Sequence, residues 1–127
     1  MNRAVILAGS NFNEQDNLKK SLQKLQNHGS LIKHSPAIYT VATGAQYQKD
    51  FLDQALVVET NLSQTEFTEA LKAIEQVLGR TPALKQQGLI PIDLDLLVWN
   101  GVMLKRDFLE TPSLRALVQE VELFDNL

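Results

Sequence analysis

The sequence predicts an α+β fold. It reads as a ferredoxin-like βαββαβ sandwich, with an antiparallel sheet, helices on one face and a short C-terminal extension. Three observations carry this. Strand-length apolar runs and helical patterns follow the order strand, helix, strand, strand, helix, strand. Capping residues and glycines mark the helix ends. A chain of 127 residues with 44% apolar composition suits one domain, residues 1–127, around one core.

Taken in order, Ala4-Val5-Ile6-Leu7-Ala8 is a continuous apolar run, the pattern of a central strand covered on both faces. Gly9-Ser10-Asn11 ends it. Asn13 with Asp16 reads as a helix cap, Leu18, Leu22 and Leu25 as an apolar stripe, and Gly29 as the stop. Leu31 to Val41 reads as extended, and Pro36 inside it argues for an edge strand or a bulge. Ala42 to Asp50 is small and polar, a loop. Phe51 to Thr60 is the next strand. Its Leu52, Leu56 and Val58 share one face, while Phe51, Asp53, Ala55 and Val57 share the other. Ser63-Gln64-Thr65-Glu66 is a capping box, with Leu62 and Phe67 as a hydrophobic staple. Phe67, Leu71, Ile74 and Leu78 then repeat at helical spacing, with Glu75 on the flank and Gly79 as terminator. Arg80 to Pro91 lacks apolar periodicity and reads as a loop. Ile92 to Trp99 is a strand, and Asn100-Gly101 turns it into a hairpin returning through Val102-Met103-Leu104. Pro112 precedes a last helix that turns Leu114, Leu117, Val118 and Val121 inward.

The chemistry-bearing feature is Asp93-Leu94-Asp95. Alternation puts both carboxylates on one face, with Cα atoms roughly 6.5–7 Å apart. Ile92, Leu94, Leu96 and Val98 take the other face, and Leu97 and Trp99 share the acids' face. Neighbouring like charges oppose each other's ionisation, and a hard cation removes that cost. Mg²⁺ is commonly held by one or two carboxylates together with substrate phosphates. Acids on a half-exposed strand also discourage edge pairing, so the pair alone leaves both readings open.

Composition narrows the classes. Formal net charge is −3 and the basic residues are dispersed, without the basic stripe of a nucleic-acid binder. Aromatic residues are only 6%, too few for base-stacking platforms on the sheet. Cysteine is absent, and His28 and His34 are far from the acids in sequence, so oxygen ligation by Mg²⁺ or Mn²⁺ is expected over Zn²⁺. No apolar run has the length of a membrane span, and the N-terminus lacks a secretory pattern, so a cytoplasmic protein without a membrane partner is expected. Oligomeric state stays open.

The chain resembles the family that pyrophosphorylates 6-hydroxymethyl-7,8-dihydropterin, the kinase step of folate biosynthesis. The resemblance covers nearly the whole chain. It rests on Gly9-Ser10-Asn11, Phe51-Leu52-Asp53-Gln54-Ala55, Ile74-Glu75 with Gly79-Arg80, and Gly88 followed by Asp93-Leu94-Asp95-Leu96-Leu97. It implies transfer of diphosphate from ATP to the pterin hydroxymethyl group. Asp93 and Asp95 are implied as ligands of two Mg²⁺ ions. Glu75 and Arg80 are implied at the nucleotide, with Arg80 also catalytic. Thr40, Phe51, Asp53 and Asn11 are implied around the pterin, Asp53 standing where the family has an amide.

The chain also departs from the family's pattern. Ile90 stands where the family has an arginine, Gln87 near its tryptophan, and Pro82 at a second basic position. Ser113 follows Pro112 in place of histidine, Gln119 falls near a further arginine, and the C-terminal segment is shorter than usual. Each basic loss removes a donor from the phosphate clamp, and one such donor is commonly worth about 10²–10³ in rate. Lys85, Lys105, Arg106 and Arg115 are the candidates to compensate. Two readings follow: a divergent pterin pyrophosphokinase, and a catalytically silent nucleotide- or pterin-binding relative.

Overall fold

In a computed structural model, which describes residues 1–42 and 44–122, the central strand β1 (Asn2–Ser10) runs between two antiparallel partners, β4 (Phe51–Thr60) and β5 (Asp93–Trp99). Edge strands β2 (Ser30–His34) and β3 (Ile38–Thr40) both pair with β4, and β6 (Val102–Met103) pairs with β5. The spatial order β2-β4-β1-β5-β6 is the ferredoxin-like arrangement with a hairpin appended. Helices α1 (Glu14–Leu25) and α2 (Gln64–Val77) supply the two crossovers. Thr43, within the loop expected at Ala42 to Asp50, lies outside the described residues, as do residues 123–127.

The sheet separates two apolar clusters. Ala4, Ile6 and Ala8 of β1 pack with Leu52, Leu56 and Val58 of β4 against Leu18, Leu25, Phe67, Leu71 and Ile74 of the two helices. Val5 and Leu7 pack with Ala55 and Val57 on the opposite face. There Phe108, from a 3₁₀ turn over Asp107–Glu110, joins Leu117 and Val118 of α4 (Pro112–Gln119) and the following Val121. The expected faces of β4 therefore hold, β1 is covered on both faces as expected, and the C-terminal extension covers the half of the second face that carries no acids.

Several local expectations need correction. The strand expected over Leu31 to Val41 is broken near Pro36. Ser35 keeps the edge paired there, donating from its N–H to the Ala55 carbonyl and accepting from the Ala55 N–H through Oγ, both at 2.9 Å. Asn13 sits at the α1 N-cap with φ 47° but makes no side-chain cap. Gly29 does not stop α1 through a positive φ. A Cβ there would collide with the Glu59 carbonyl, so its smallness lets the chain enter β2 tightly against β4. The loop expected over Arg80 to Pro91 contains a short helix, α3 (Pro82–Gln86), capped by the Thr81 side chain accepting from Leu84 N–H at 3.2 Å. Pro82 is its first residue, a place where the missing N–H costs nothing.

The largest correction is a β-bulge. Val5 pairs with Val98 but Ile6 pairs with Leu96, so Leu97 is an extra residue in β5. Alternation slips by one beyond it. Val98 joins Leu97 in the cluster under α4, while Trp99 crosses to the helix side, its ring 5.8 Å from that of Phe67. Both had been expected on the opposite faces. The acids, N-terminal to the bulge, keep their shared face.

Candidate active site

Gly9 is the centre of the site. It is the register partner of Asp53 on β4 and of Asp93 on β5, so Asp53, Gly9 and Asp93 form one row across three strands. A Cβ on Gly9 would collide with the Asp53 carboxylate, so glycine opens a floor between the acids. Asp95 follows on the same face, opposite Leu7. Asp93 and Asp95 line the same two cavities.

The larger cavity, about 450 Å³, lies between β5, α2 and the segment after β6. Gln64, Thr68, Lys72 and Glu75 reach it from α2, with Arg80 and Lys105 from the flanking loops. Arg80 holds the acids together: its Nη1 donates to Glu75 Oε2 and to Asp93 Oδ1, each at 2.9 Å. Glu75 Oε2 also accepts from the Leu94 N–H at 2.8 Å, which ties α2 to β5. Partial desolvation alone would lower the Arg80 pKa. The Asp93, Glu75 and Asp95 carboxylates outweigh it and raise it, so the guanidinium stays charged. Lys105 Nζ stands 3.0 Å from Asp95 Oδ1.

The smaller cavity, about 190 Å³, is lined by Thr40, Val41, Tyr47, Phe51, Asp53 and Leu114 besides Gly9 and the two acids. Tyr47 meets Phe51 edge-on at 5.0 Å between centroids. Thr40 donates its hydroxyl to Asp53 Oδ2. Burial pushes the Asp53 carboxyl up to about 6 against that hydrogen bond, with the charges of Asp93 and Asp95 adding to the rise. Asp95 is also pushed up to about 6, by burial and then by Asp93, against the pull of Lys105. Both carboxyls therefore hold a proton more tightly than a free aspartate does.

Asn11, expected beside a pterin, instead lies fully buried outside both cavities. Its Oδ1 accepts from Ile90 N–H at 2.6 Å, and its Nδ2 donates to the carbonyls of Gly88 and Lys49. It clamps the loop bearing Tyr47 to the loop before β5, which is a scaffold role. Ile90, in the family's arginine place, is a core residue. The sequence reads Gly9 only as part of the turn after the first strand and of a family motif, and gives Tyr47 and Lys72 no role. A glycine in a strand marks close backbone approach, which was the available signal for Gly9. Lys72 lies one turn from both Thr68 and Gln76 on the Glu75 flank of α2, where helical spacing gathers the polar lining.

The site offers carboxylate oxygens. Among the described residues no group of three or more His, Cys, Asp or Glu is suited to hold a metal ion. Two one-third-exposed carboxylates beside a polar cavity fit Mg²⁺, which completes its shell with water and phosphate oxygens rather than a protein cage.

A ferredoxin-like sheet bearing paired acids between a cavity lined by charges of both signs and an aromatic-lined one defines a class of α+β domain with a composite polar site. Sequence comparison makes the class specific. The profile of the 7,8-dihydro-6-hydroxymethylpterin-pyrophosphokinase (HPPK) family matches residues 5–123. A 2-amino-4-hydroxy-6-hydroxymethyldihydropteridine pyrophosphokinase of Bacillus subtilis (strain 168) is 31% identical over 117 residues, covering 90% of this chain and 70% of the relative. The mitochondrial folate synthesis bifunctional protein of Pisum sativum is 34% identical over 113 residues, 87% of this chain but 22% of that protein. A crystal structure of an HPPK-DHPS in complex with substrates superposes with a TM-score of 0.53 at 14% identity, covering 91% of this chain and 31% of that one. The chain belongs to the HPPK family. It spans about a fifth of the pea relative's length and about a third of the HPPK-DHPS chain.

Proposed function

We propose that the chain catalyses ATP-dependent transfer of diphosphate to the hydroxymethyl group of 6-hydroxymethyl-7,8-dihydropterin, releasing AMP. The observation that carries this reading is the position of Asp93 and Asp95, which line both cavities at once. The nucleotide takes the larger cavity, bordered by Glu75, Arg80 and Lys72. The pterin takes the smaller one. Phe51 borders its ring, and Asp53, steadied by Thr40, accepts hydrogen bonds from the exocyclic amine and ring N–H. The pterin hydroxyl oxygen forms a bond to the β-phosphorus, the bond from that phosphorus to the oxygen bridging it to the α-phosphorus breaks, and AMP leaves with the electron pair. The hydroxyl proton is released in the same exchange.

Asp93 and Asp95 would hold two Mg²⁺ ions, which supply Lewis-acid polarisation and neutralise phosphate charge. The protein's own share is positioning. Arg80 fixes Asp93 and Glu75, and Gly9 leaves the floor open where the two substrates meet. The test is direct. Protein, MgATP and dihydropterin are mixed and AMP is followed by chromatography, with the Asp93→Ala/Asp95→Ala double variant as control. AMP formation no faster than in the control removes this reading.

The buried Ile90 favours a second reading. Its side chain belongs to the core and offers no donor to a phosphate, as expected of a binding module that has lost turnover. Calorimetry separates the two: tight Mg²⁺-dependent ATP binding without AMP release supports the module, and turnover excludes it.

A further inference from the structure

Of the four basic residues that stand where compensation for the lost arginines is possible, the fold brings one to the acids. Lys85 lines an adjoining cavity that shares Lys72, Glu75 and Arg80 with the larger one but is lined by neither Asp93 nor Asp95. Arg106 and Arg115 lie outside each of the three described cavities that Asp93 or Asp95 lines. Lys105 lines two of those three, and its ammonium reaches Asp95.

Its placement comes from the β5–β6 hairpin. The Leu97 carbonyl accepts from Leu104 N–H at 2.7 Å and from Lys105 N–H at 3.4 Å. Leu97 thus extends the hairpin ladder past β6, anchors the segment that follows it and sets Lys105 beside Asp95. Arg80 and Lys105 then flank the acid pair, one cation on each carboxylate. In charge the larger cavity is balanced: Lys72, Arg80 and Lys105 against Glu75, Asp93 and Asp95. A balanced site suits a cargo that is itself close to neutral, as a nucleoside triphosphate is once divalent ions accompany it.

We propose that Lys105 is a phosphate-binding residue of this chain, resting on Asp95 in the free protein and exchanging that carboxylate for the polyphosphate when divalent ions arrive with a nucleotide. The Lys105 side chain is 55% exposed, so the resting pair is weak and easily exchanged. A flexible stem with three rotatable donors suits the movement better than a rigid guanidinium would. No bond is made or broken. The ammonium leaves one anion for another, and Asp95 is left to the divalent ion. The proposal rests on the nucleotide reading of the larger cavity.

The test uses the full chain, Lys105→Met and Lys105→Arg, with a non-hydrolysable ATP analogue and with Mg²⁺ alone, by calorimetry. Lys105→Met is expected to bind the Mg²⁺–analogue about tenfold more weakly at low salt, with the deficit shrinking as salt screens the exposed ammonium–phosphate contact. It is expected to bind Mg²⁺ alone at least as well as the parent, because the resident cation on Asp95 is gone. Lys105→Arg is expected to restore most of the analogue affinity. Equal analogue affinity in Lys105→Met and the parent overturns this inference alone. A parallel fall in affinity for Mg²⁺ alone also overturns it, because Lys105 then only supports the fold. A parent chain that binds no Mg²⁺–analogue overturns the nucleotide reading, and this inference with it.

Discussion

Asp53 is a buried acid of the site that carries a pH-dependent stability cost. Its folded-state pKa, about 6, lies above the ordinary 3.8, so the folded chain holds that proton more tightly than the unfolded one. Stability from this group is complete below about pH 4 and is lost as pH rises through about 6. Asp53→Asn keeps an acceptor for the Thr40 hydroxyl and removes the buried charge. It should stabilise the protein by about 1–3 kcal/mol at about pH 8, with the gain fading toward zero near pH 4. Urea titrations at both values check this, and an equal gain at both would refute it. Gly9 makes the converse case. Gly9→Ala drives a methyl into the Asp53 carboxylate and should cost about 1–3 kcal/mol while closing the floor between the cavities. A midpoint shift in urea and weakened ligand binding should appear together. The paired acids were legible in the sequence because period-two alternation needs only local pattern. The close approach of Gly9 to Asp53 was not, because that neighbour lies 44 residues away on β4.

At the level of elements, local chemistry explains the helix ends that matter. Ser63 Oγ accepts from Glu66 N–H at 3.1 Å, and the Glu66 carboxylate accepts from Ser63 N–H at 2.9 Å, the reciprocal box read from four residues. Ser63→Ala should cost about 1 kcal/mol, read as a lower unfolding midpoint. The tight turn after β5 is equally local: Asn100 at φ 49° and Gly101 at φ 81° supply the two positive angles of a type I′ hairpin. Gly101→Val should cost about 1–2 kcal/mol by strain alone, since nothing crowds the position. The bulge at Leu97 belongs to a different order of information. A run of Leu, Leu, Val and Trp is equally compatible with unbroken alternation, and the slip is decided by which partner residues β1 presents.

For the whole molecule, the second sheet face is half core and half site. Phe108, Leu117, Val118 and Val121 bury Val5, Ala55, Val57, Leu97 and Val98, and Arg3 pairs with Glu122 at 2.5 Å to hold the end of that cover against the start of β1. Val118→Asp places a charge among fully buried apolar groups and should destabilise by several kcal/mol, abolishing a cooperative melt by circular dichroism. On the helix face, Phe67→Ala should cost about 3–5 kcal/mol, because Phe67 is fully enclosed and also braces Trp99. Among the described residues no helix is long and apolar enough to cross a membrane. By itself the sequence determined the order of the main elements, the two-sided cover of β1, the inward faces of β4 and α2, the capping box of α2, and a pair of acids sharing one side of a strand. All of these depend on short-range periodicity and backbone preference. Only the tertiary structure decided that Asn11 is a clamp, that Ile90 is core, that Trp99 and Val98 change sides, and that Lys105 rather than Lys85, Arg106 or Arg115 meets the acids. Each of those outcomes is set by register and packing between segments distant in the chain, and no local pattern encodes them.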